Sequence, residues 1–581
     1  MLALLFVSGA VALVYQSLWV RQLSLILGST TYAIGTVLAA FMAGLGMGAL
    51  VLGRRADRSS NPLRLYAVLE LAIGLAGLLS PFVLAQGSSV YAACYARFHG
   101  APAVLTLARF TIGFGFVAVP AFLMGGTLPV AARYLVDRRE AIGRSVGLLY
   151  AVNTMGAAAG ALALPFALLP WLGVRRTLFA CAATNLAVAA VAWATSRAVP
   201  ASFSRGEVTR AARPGGLLLA FFVSGFVALA LEVLWNRFFV MYVGSSIYSY
   251  ALILFLYLVG TFVGGLVFMR LDRRGADAAR VFASCLFLLG LDLALTIPLM
   301  DRIVYLQVAT LAALGSGFAS FQLATVVASL AVILPPTVLL GIAFPAVVKA
   351  ASDDVTRFGS DFGLAYLVNT GGTTAGALAA SFVLIPRLGL RASFDSVVLL
   401  TAVALVLALR ERPRRRDPAI IVVAAFLVLG PLLLPGWDAR LMHTGLSRNP
   451  TVMVGLWREG SFRRAIDNLE VREVRDGLDA TVAVAGGADH WSLFVNGKPD
   501  ASTGVDMATQ TLLGHVPLLL HPAPRDVLVI GMGSGVTLGA VTRHPVASVD
   551  LVEISAEVLD LGDRHFRAEN RGALHDPRVT A

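Results

Sequence analysis

The chain has 581 residues, of which 57% are apolar and only 14% charged, and it carries a formal charge of +12. That balance excludes an ordinary water-soluble domain and fits a chain solvated largely by lipid, while the length exceeds what one core holds, so at least two folding units are expected. The positive charge sits early, since 32 basic and 16 acidic residues precede Trp437 whereas 14 basic and 18 acidic ones follow from it. Such an excess suits anionic headgroups and topology signals; nothing clusters basic with aromatic residues in the manner of a nucleic-acid binder. Cys94, Cys181 and Cys285 all fall in the apolar region without ligand spacing, so neither a disulfide framework nor a metal site is indicated.

The apolar run starting at Leu2 has no basic lead and continues past signal-peptide length, which predicts a retained helix. A bilayer needs about 20 apolar residues per helix, and six stretches qualify near 2–27, 31–52, 65–86, 103–132, 145–170 and 176–196. Six more follow near 216–242, 247–269, 281–300, 322–348, 361–386 and 392–410. GLLYAVNTMGAAAG at 147–160 returns as GLAYLVNTGGTTAG at 363–376, and Trp19/Trp235, Arg21/Arg237, Pro129/Pro345 and Pro170/Pro386 keep the same offset of 216. The sequence therefore predicts a membrane all-α body of two parallel six-helix repeats, residues 1–197 and 216–410, related by an axis along the membrane normal. Lys and Arg crowd the loops after the even-numbered spans, including GRRADRSSNPLR and RERPRRRDP. By the positive-inside rule those loops and the amino terminus are cytoplasmic, in a cell inner (plasma) membrane.

Gly53, Ala56, Asp57 and Arg58, with Asp272, Arg273, Arg274 and Gly275 in the second copy, form a loop signature that resembles the major facilitator superfamily. The resemblance implies a transporter-like body handling a small-molecule solute. Asp57 is expected to favour the dipole of the helix that follows it, and Arg58 to meet neighbouring helix ends.

Ionisable and amide groups inside spans are candidates for function. They are Gln16, Arg21, Glu70, Arg109, Asn153, Glu232, Arg237, Asp292 and Asn369. Gln16 and Glu232 precede Arg21 and Arg237 by five residues, too far round the helix for direct pairing, so partners on other helices are expected. A central pathway and a static interhelical network both fit. For Asn153 and Asn369, the neighbours Gly156, Gly160, Gly372 and Gly376 favour a packing role between close backbones.

After the spans, AIIVVAAFLVLGPLLLPGW at 419–437 is an extra apolar helix, long enough to be a thirteenth span. Residues 438–522 read as a small β-rich domain with a linker helix, and 523–581 as part of a Rossmann-like nucleoside-binding domain of methyltransferase type. In the latter, DVLVIGMGSG runs from a strand into a Gly-rich helix start, and VDLVEIS ends in Glu553. Gly531, Gly533 and Gly535, with Ser534, offer a sharp turn and free helix-start N–H groups to a ligand, while Glu553 stands where a carboxylate accepts ribose hydroxyls.

The stretch LFVNGKPDASTGVDMATQTLLGHVPLLLHPAPRDVLVIGMGSG is similar to the start of polyamine aminopropyltransferases, the spermidine synthase family, and membrane-fused members of that family resemble the whole chain. The resemblance implies decarboxylated S-adenosylmethionine or S-adenosylmethionine as cofactor, cradled by the three glycines and held at its ribose by Glu553, and an amine as acceptor. Two positions depart from the family pattern: Ser534 replaces an Asp, and the Tyr-His pair expected after the acidic helix start is absent from DMATQTLLGH. The family's catalytic Asp belongs to a segment beyond residue 581, so the domain is expected to be incomplete here and no catalytic residue can be named. A thirteenth span would place the soluble part outside, away from S-adenosyl cofactors. With 419–437 lying along the interface instead, twelve spans and a cytoplasmic tail are preferred. The function expected is a membrane-tethered aminopropyltransferase-like protein. Two alternatives stand beside it: a transporter with a degenerate nucleoside-sensing or docking tail, and a methyltransferase acting on a membrane-associated substrate.

Overall fold

The computed structural model describes residues 1–27, 31–136, 142–198, 215–352, 355–410, 436–487 and 490–581, with only the backbone of 25–27, 31–36, 102, 103 and 106. In the apolar part the solvent dictates helix, because lipid offers backbone N–H and C=O groups no partner and each span must satisfy them internally. The helices are α1 Leu2–Leu27, α2 Thr31–Asp57, α3 Pro62–Phe98, α4 Pro102–Leu135, α5 Ile142–Ala163 and α6 Leu169–Ala198, then α7 Gly215–Val243, α8 Ile247–Arg273, α9 Ala278–Thr296, α10 Ile303–Leu314, α11 Phe318–Ala351, α12 Phe358–Ala379, α13 Ile385–Leu388 and α14 Leu390–Arg410. Among the described residues eleven helical stretches are long and apolar enough to cross a bilayer. One of them, Ile142–Ala198, has 57 residues, or about 85 Å at 1.5 Å per residue. It breaks at Gly173, where φ is 69° and ψ 176°, and so makes two passes. Among the described residues this gives twelve stretches able to cross, in two sets of six.

The duplication is visible in the backbone itself. Each half interrupts its fifth span with one wide, π-type turn, at Leu164–Leu168 and Ala380–Leu384. Each then reverses at a glycine of positive φ, Gly173 or Gly389 (81°), whose carbonyl accepts from Thr177 Oγ1 or Ser393 Oγ at 2.6 Å. Helix contacts repeat as well. A Cβ on Gly156 would lie 2.0 Å from the Phe6 carbonyl oxygen, and one on Gly372 would lie 2.0 Å from that of Phe222. Between α2 and α4 a Cβ on Gly48 would meet the Phe122 carbonyl at 1.8 Å, as one on Gly264 would meet Val338 at 2.2 Å between α8 and α11. These backbones are in contact, which only small residues permit. Asn153 and Asn369 occupy the same seams, their carbonyls 2.3 and 2.5 Å from the Cβ positions of Gly9 and Gly225.

One end of the bundle carries Met1, and there a single apolar cluster joins both halves, from Leu5, Ala56, Leu63 and Ile142 to Ala278, Phe282, Phe358 and Ala408. Asp57 secures this end. Its carboxylate accepts from the Gly359 and Ser360 N–H groups at 2.8 and 2.7 Å and from Ser360 Oγ at 2.6 Å, with Arg133 Nε 3.5 Å away. It thus caps α12 in the other half, whereas α3, the helix that follows it, is capped by Asn61, whose Oδ1 accepts from Arg64 N at 3.0 Å. The expectation of a cap on the following helix fails because Asp57 is the last residue of α2 and the start of α12 is brought against it. In the second half Asp272 pairs with Lys349 and lies against Gly143, next to the start of α5.

The soluble part packs on the other end. Trp437 Nε1 donates to the Ile297 carbonyl at 2.7 Å and its ring lies 5.7 Å from that of Phe394. Short helices Ala439–Met442, Pro450–Arg458 and Phe462–Asp467 follow, and their Leu441, Met442, Val454, Phe462 and Ile466 join the core formed by Val243, Met300, Ile303 and Leu390. Next comes an antiparallel meander of β1 Glu470–Asp476, β2 Thr481–Gly486, β3 Trp491–Val495 and β4 Lys498–Ser502. The linker helix Met507–Leu520 leads to a parallel sheet, β5 Asp526–Ile530, β6 Ser548–Val552 and β7 Val579–Thr580. Val529, Val549 and Leu551 are buried in the core of this lobe, whereas Leu528, Ile530 and Val552 on the opposite face of the sheet are exposed.

The amino terminus and the soluble part therefore stand on opposite ends of the bundle. The sequence reading preferred both on one side, whereas Ala408, near the end of α14, belongs to the Met1 end and Trp437 sits at the other. Of the predicted extra helix 419–437, all but residues 436 and 437 lie outside the described residues. Two outcomes follow. Gly372→Val should abolish monodisperse elution in detergent, while Gly115→Ala, whose Cβ meets nothing within 4 Å, should be neutral or stabilise by about 0.5–1 kcal/mol. Topology reporters fused after residues 58 and 440 should report opposite sides of the membrane.

Candidate functional site

The glycine-rich loop is built at the carboxyl ends of two strands. β5 and β6 run parallel in register from Asp526/Ser548 to Ile530/Val552, and the Gly531 N–H continues the ladder to the Val552 carbonyl at 2.8 Å. Gly531, Gly533 and Gly535 then take φ of 91°, 52° and 78°, the left-handed region that side chains disfavour, before the helix Val536–Val541 begins. A Cβ on Gly531 would meet no atom within 4 Å, so the loop faces open space there. Gly535 is required by packing, since its Cβ would fall 2.8 Å from Asn570 Nδ2.

Glu553 closes the loop from the adjacent strand. Its Oε2 accepts from Met532 N at 2.8 Å and its Oε1 from Ile554 N and Ser555 N at 2.8 and 3.0 Å. A carboxylate offers about four acceptor positions, so one remains, on Oε2, beside Gly531. Ser534 points inward: it is 1% exposed and donates to Gln510 Oε1 at 2.5 Å. Gln510 Nε2 in turn donates to the Ser502 carbonyl and to Asp506 at 2.9 and 2.8 Å, which ties the loop to β4 and the linker helix. Asn570, fully buried, donates to the Ser534 and Gly562 carbonyls at 2.9 and 3.0 Å and accepts from Gly572 N at 2.9 Å. Gln510 and Asn570 escaped the sequence reading; only the Asn-Arg-Gly turn at 570–572, a helix-end signal, hinted at the second.

The meander is pinned to this lobe by Glu473, which accepts from Arg564 at 2.9 and 3.0 Å and pairs with His565 at 2.9 Å. Arg564, and then His565, hold the Glu473 carboxyl down at about 2. The meander's turns also face the membrane body. Arg237 donates to the Gly477 carbonyl, and Asp476 Oδ2 accepts from Leu390 N at 2.7 Å. Between the two parts lies a cavity of about 290 Å³, lined by Val233, Asn236, Arg237 and Ser381 from the helices and by Leu478, Asp479 and Asn496 from the meander.

The predicted intramembrane residues do not converge on one centre. Glu70 is fully buried between α1, α3 and α6, accepting from Ser8 Oγ and Asn185 Nδ2 at 2.6 Å each. Arg109 donates to Tyr91 Oη at 2.6 Å, between α3 and α4. Asn153 and Asn369 sit in their helix seams, and Asp292 has a buried carboxylate oxygen with no hydrogen-bond partner. Arg21 is exposed, Gln16 is half-buried, and Arg237 is drawn to the soluble part. Glu232 is half-buried, with no hydrogen bond to its carboxylate among the described residues.

Comparison with known proteins places this geometry. Residues 506–581 match the spermine/spermidine synthase domain family. The chain is 36% identical over 88 residues to a polyamine aminopropyltransferase of Aeropyrum pernix, covering 15% of this chain and 28% of that protein. It is 38% identical over 89 residues to a spermidine synthase of Dictyostelium discoideum, covering 15% and 31%. The chain thus spans about a third of these relatives' length. A solved bacterial homologue of the iron transporter ferroportin, in an outward-facing state, aligns over 73% of this chain and 98% of its own at 15% identity and a TM-score of 0.48. Residues 506–581 are thus similar to a spermine/spermidine synthase domain, and the apolar part is a body of many helices long enough to cross a membrane.

Replacing Asn570 by Ala would leave the Ser534 and Gly562 carbonyls without their donor, which costs about 1–3 kcal/mol. A lowered unfolding temperature of the soluble part, with α-helical content of the membrane body unchanged by circular dichroism, is the expected result.

Proposed function

We propose that the protein is a membrane-tethered, aminopropyltransferase-like nucleoside-binding protein. The observation that carries this reading is the loop from Gly531 to Gly535, open at Gly531 and latched by the Glu553 carboxylate to the Met532 N–H. The fit to an S-adenosyl group rests on two features of that loop: a clear space where a side chain would intrude, and one unused acceptor position on Glu553 for a ribose hydroxyl. Gly531 and Gly533 would let the backbone approach, and the N–H groups at the start of Val536–Val541 would present partial positive charge.

When bound, decarboxylated S-adenosylmethionine or S-adenosylmethionine supplies an electrophilic carbon beside its sulfonium. This chain's own contribution is to orient the ribose through Glu553 and to keep the loop rigid through Ser534, Gln510 and Asn570. Ser534 has a hydroxyl in place of a carboxylate and turns it into the lobe, so recognition of the acceptor amine falls to other residues.

A second reading, a transporter with a nucleoside-sensing tail, is favoured by the cavity that Leu478, Asp479 and Asn496 share with Val233, Asn236 and Arg237. A nucleoside bound on the same rigid lobe would be well placed to act on that mouth. Calorimetry of the purified full chain with decarboxylated and ordinary S-adenosylmethionine checks the common premise. Binding is expected for the wild type and a loss of at least tenfold for Gly531→Leu, whose side chain fills the open space. Equal affinity in the variant would remove the loop as the site.

A further inference from the structure

We propose that the first half of the helical body carries a binding groove for a small aromatic anion, a flat apolar ring bearing a carboxylate. The groove is a cavity of about 350 Å³ at the end of the bundle away from Met1. Gln22 of α1, Pro81, Leu84 and Ser88 of α3, and Arg175 and Leu178 of α6 line it. Leu84 and Leu178 are buried and form an apolar floor, while Ser88 and Arg175 are exposed at the rim. An apolar cavity with a few polar groups on its wall is the usual build of a small-molecule site.

The duplication tells what a groove at this place takes. At the offset of 216 its walls return in the second half as Phe238, Ile297, Met300, Val304, Arg391 and Phe394. There the groove is filled by an indole. The Trp437 ring lies 5.1 Å from that of Phe238 and 5.7 Å from that of Phe394, with the Arg391 guanidinium 5.4 Å from its centre. The indole N–H donates to the Ile297 carbonyl at 2.7 Å, and the next residue, Asp438, donates its N–H to Asp301 at 2.8 Å. A ring beside a guanidinium is therefore what this position of the repeat accommodates. No residue of the soluble part lines the groove of the first half.

The exchanges between the copies set the sign of the charge. Asp301 and Asp395, the acids of the filled groove, are replaced in the first half by Ala85 and Phe179, whereas the arginine is kept as Arg175. Arg391 pairs with Asp395 at 3.2 Å. Arg175 lies over the Phe179 ring at 5.6 Å instead, with no carboxylate partner among the described residues. The acceptor is gone as well, since α3 runs on as a helix through Pro81 where the second half makes the tighter turn Ile297–Arg302 that presents its carbonyl to Trp437. What remains on the wall are the N–H donors of Arg175 and Gln22 and no acid. Such a wall takes a ring with a carboxylate and disfavours the same ring with an ammonium group.

The full chain in detergent is titrated with radiolabelled indoleacetate and with tryptamine, which share a ring and differ in the sign of their charge. Wild type should bind the first at least tenfold more tightly. Arg175→Gln should weaken indoleacetate at least tenfold, Arg175→Lys should restore part of the affinity, and Ser88→Trp, at an exposed position of the rim, should close the groove. Gly531→Leu should bind indoleacetate as wild type does, so the outcome is independent of the nucleoside reading. Nanodiscs separate two sources of the anion. Displacement of indoleacetate by phosphatidylglycerol but not by phosphatidylcholine would identify a lipid headgroup as the resident anion, and retention in both would identify a soluble one. No binding by the wild type, equal binding of tryptamine, or undiminished binding by a monodisperse Arg175→Gln chain overturns the inference.

Discussion

Contact between backbones is the constraint on which the membrane body depends. In lipid no hydrophobic force drives helix against helix, so association relies on close van der Waals packing and the few polar groups that reach across. Gly156, Gly160, Gly372 and Gly376 bring α1 to α5 and α7 to α12 so near that a Cβ would overlap a carbonyl oxygen. Once those seams are set, the wide turn and the Gly173 or Gly389 reversal follow at matching places, and the fifth and sixth spans of each half fall into position. The join between halves uses other chemistry: Asp57 capping α12, and Asp272 lying against Gly143, at the Met1 end.

The same seams made the fold legible in the sequence. A backbone contact tolerates only glycine, so both copies retained it at one offset, and the repeat could be read from letters alone. The glycine-rich loop was equally readable, because three positive-φ positions in five residues demand glycine. Long-range polar geometry was not. Nothing near Asp57 announces that its partner lies some 300 residues on, and the inward turn of Ser534 depends on Gln510, which arrives from another element. The face on which the soluble part docks was hidden for a similar reason: Trp437 is placed by Ile297 and Phe394, far from it along the chain.

Among the intramembrane polar residues, composition marks candidates without sorting them. Glu70 and Glu232 look alike in sequence, each an acid in an apolar helix. The first is satisfied by Ser8 and Asn185 within one half, while the second has no hydrogen bond to its carboxylate among the described residues. Which acid is structural is decided by what the neighbouring helices bring.

The soluble part is fastened at Met241, Ile297, Asp301, Ala312 and Leu390, all in the second half. Every one of these contacts is to that half, and so the C-terminal part rides on it. Any rocking of one six-helix unit against the other must then sweep the Gly531 loop through an arc relative to the first unit, so the internal posture of the bundle is legible from outside as a distance.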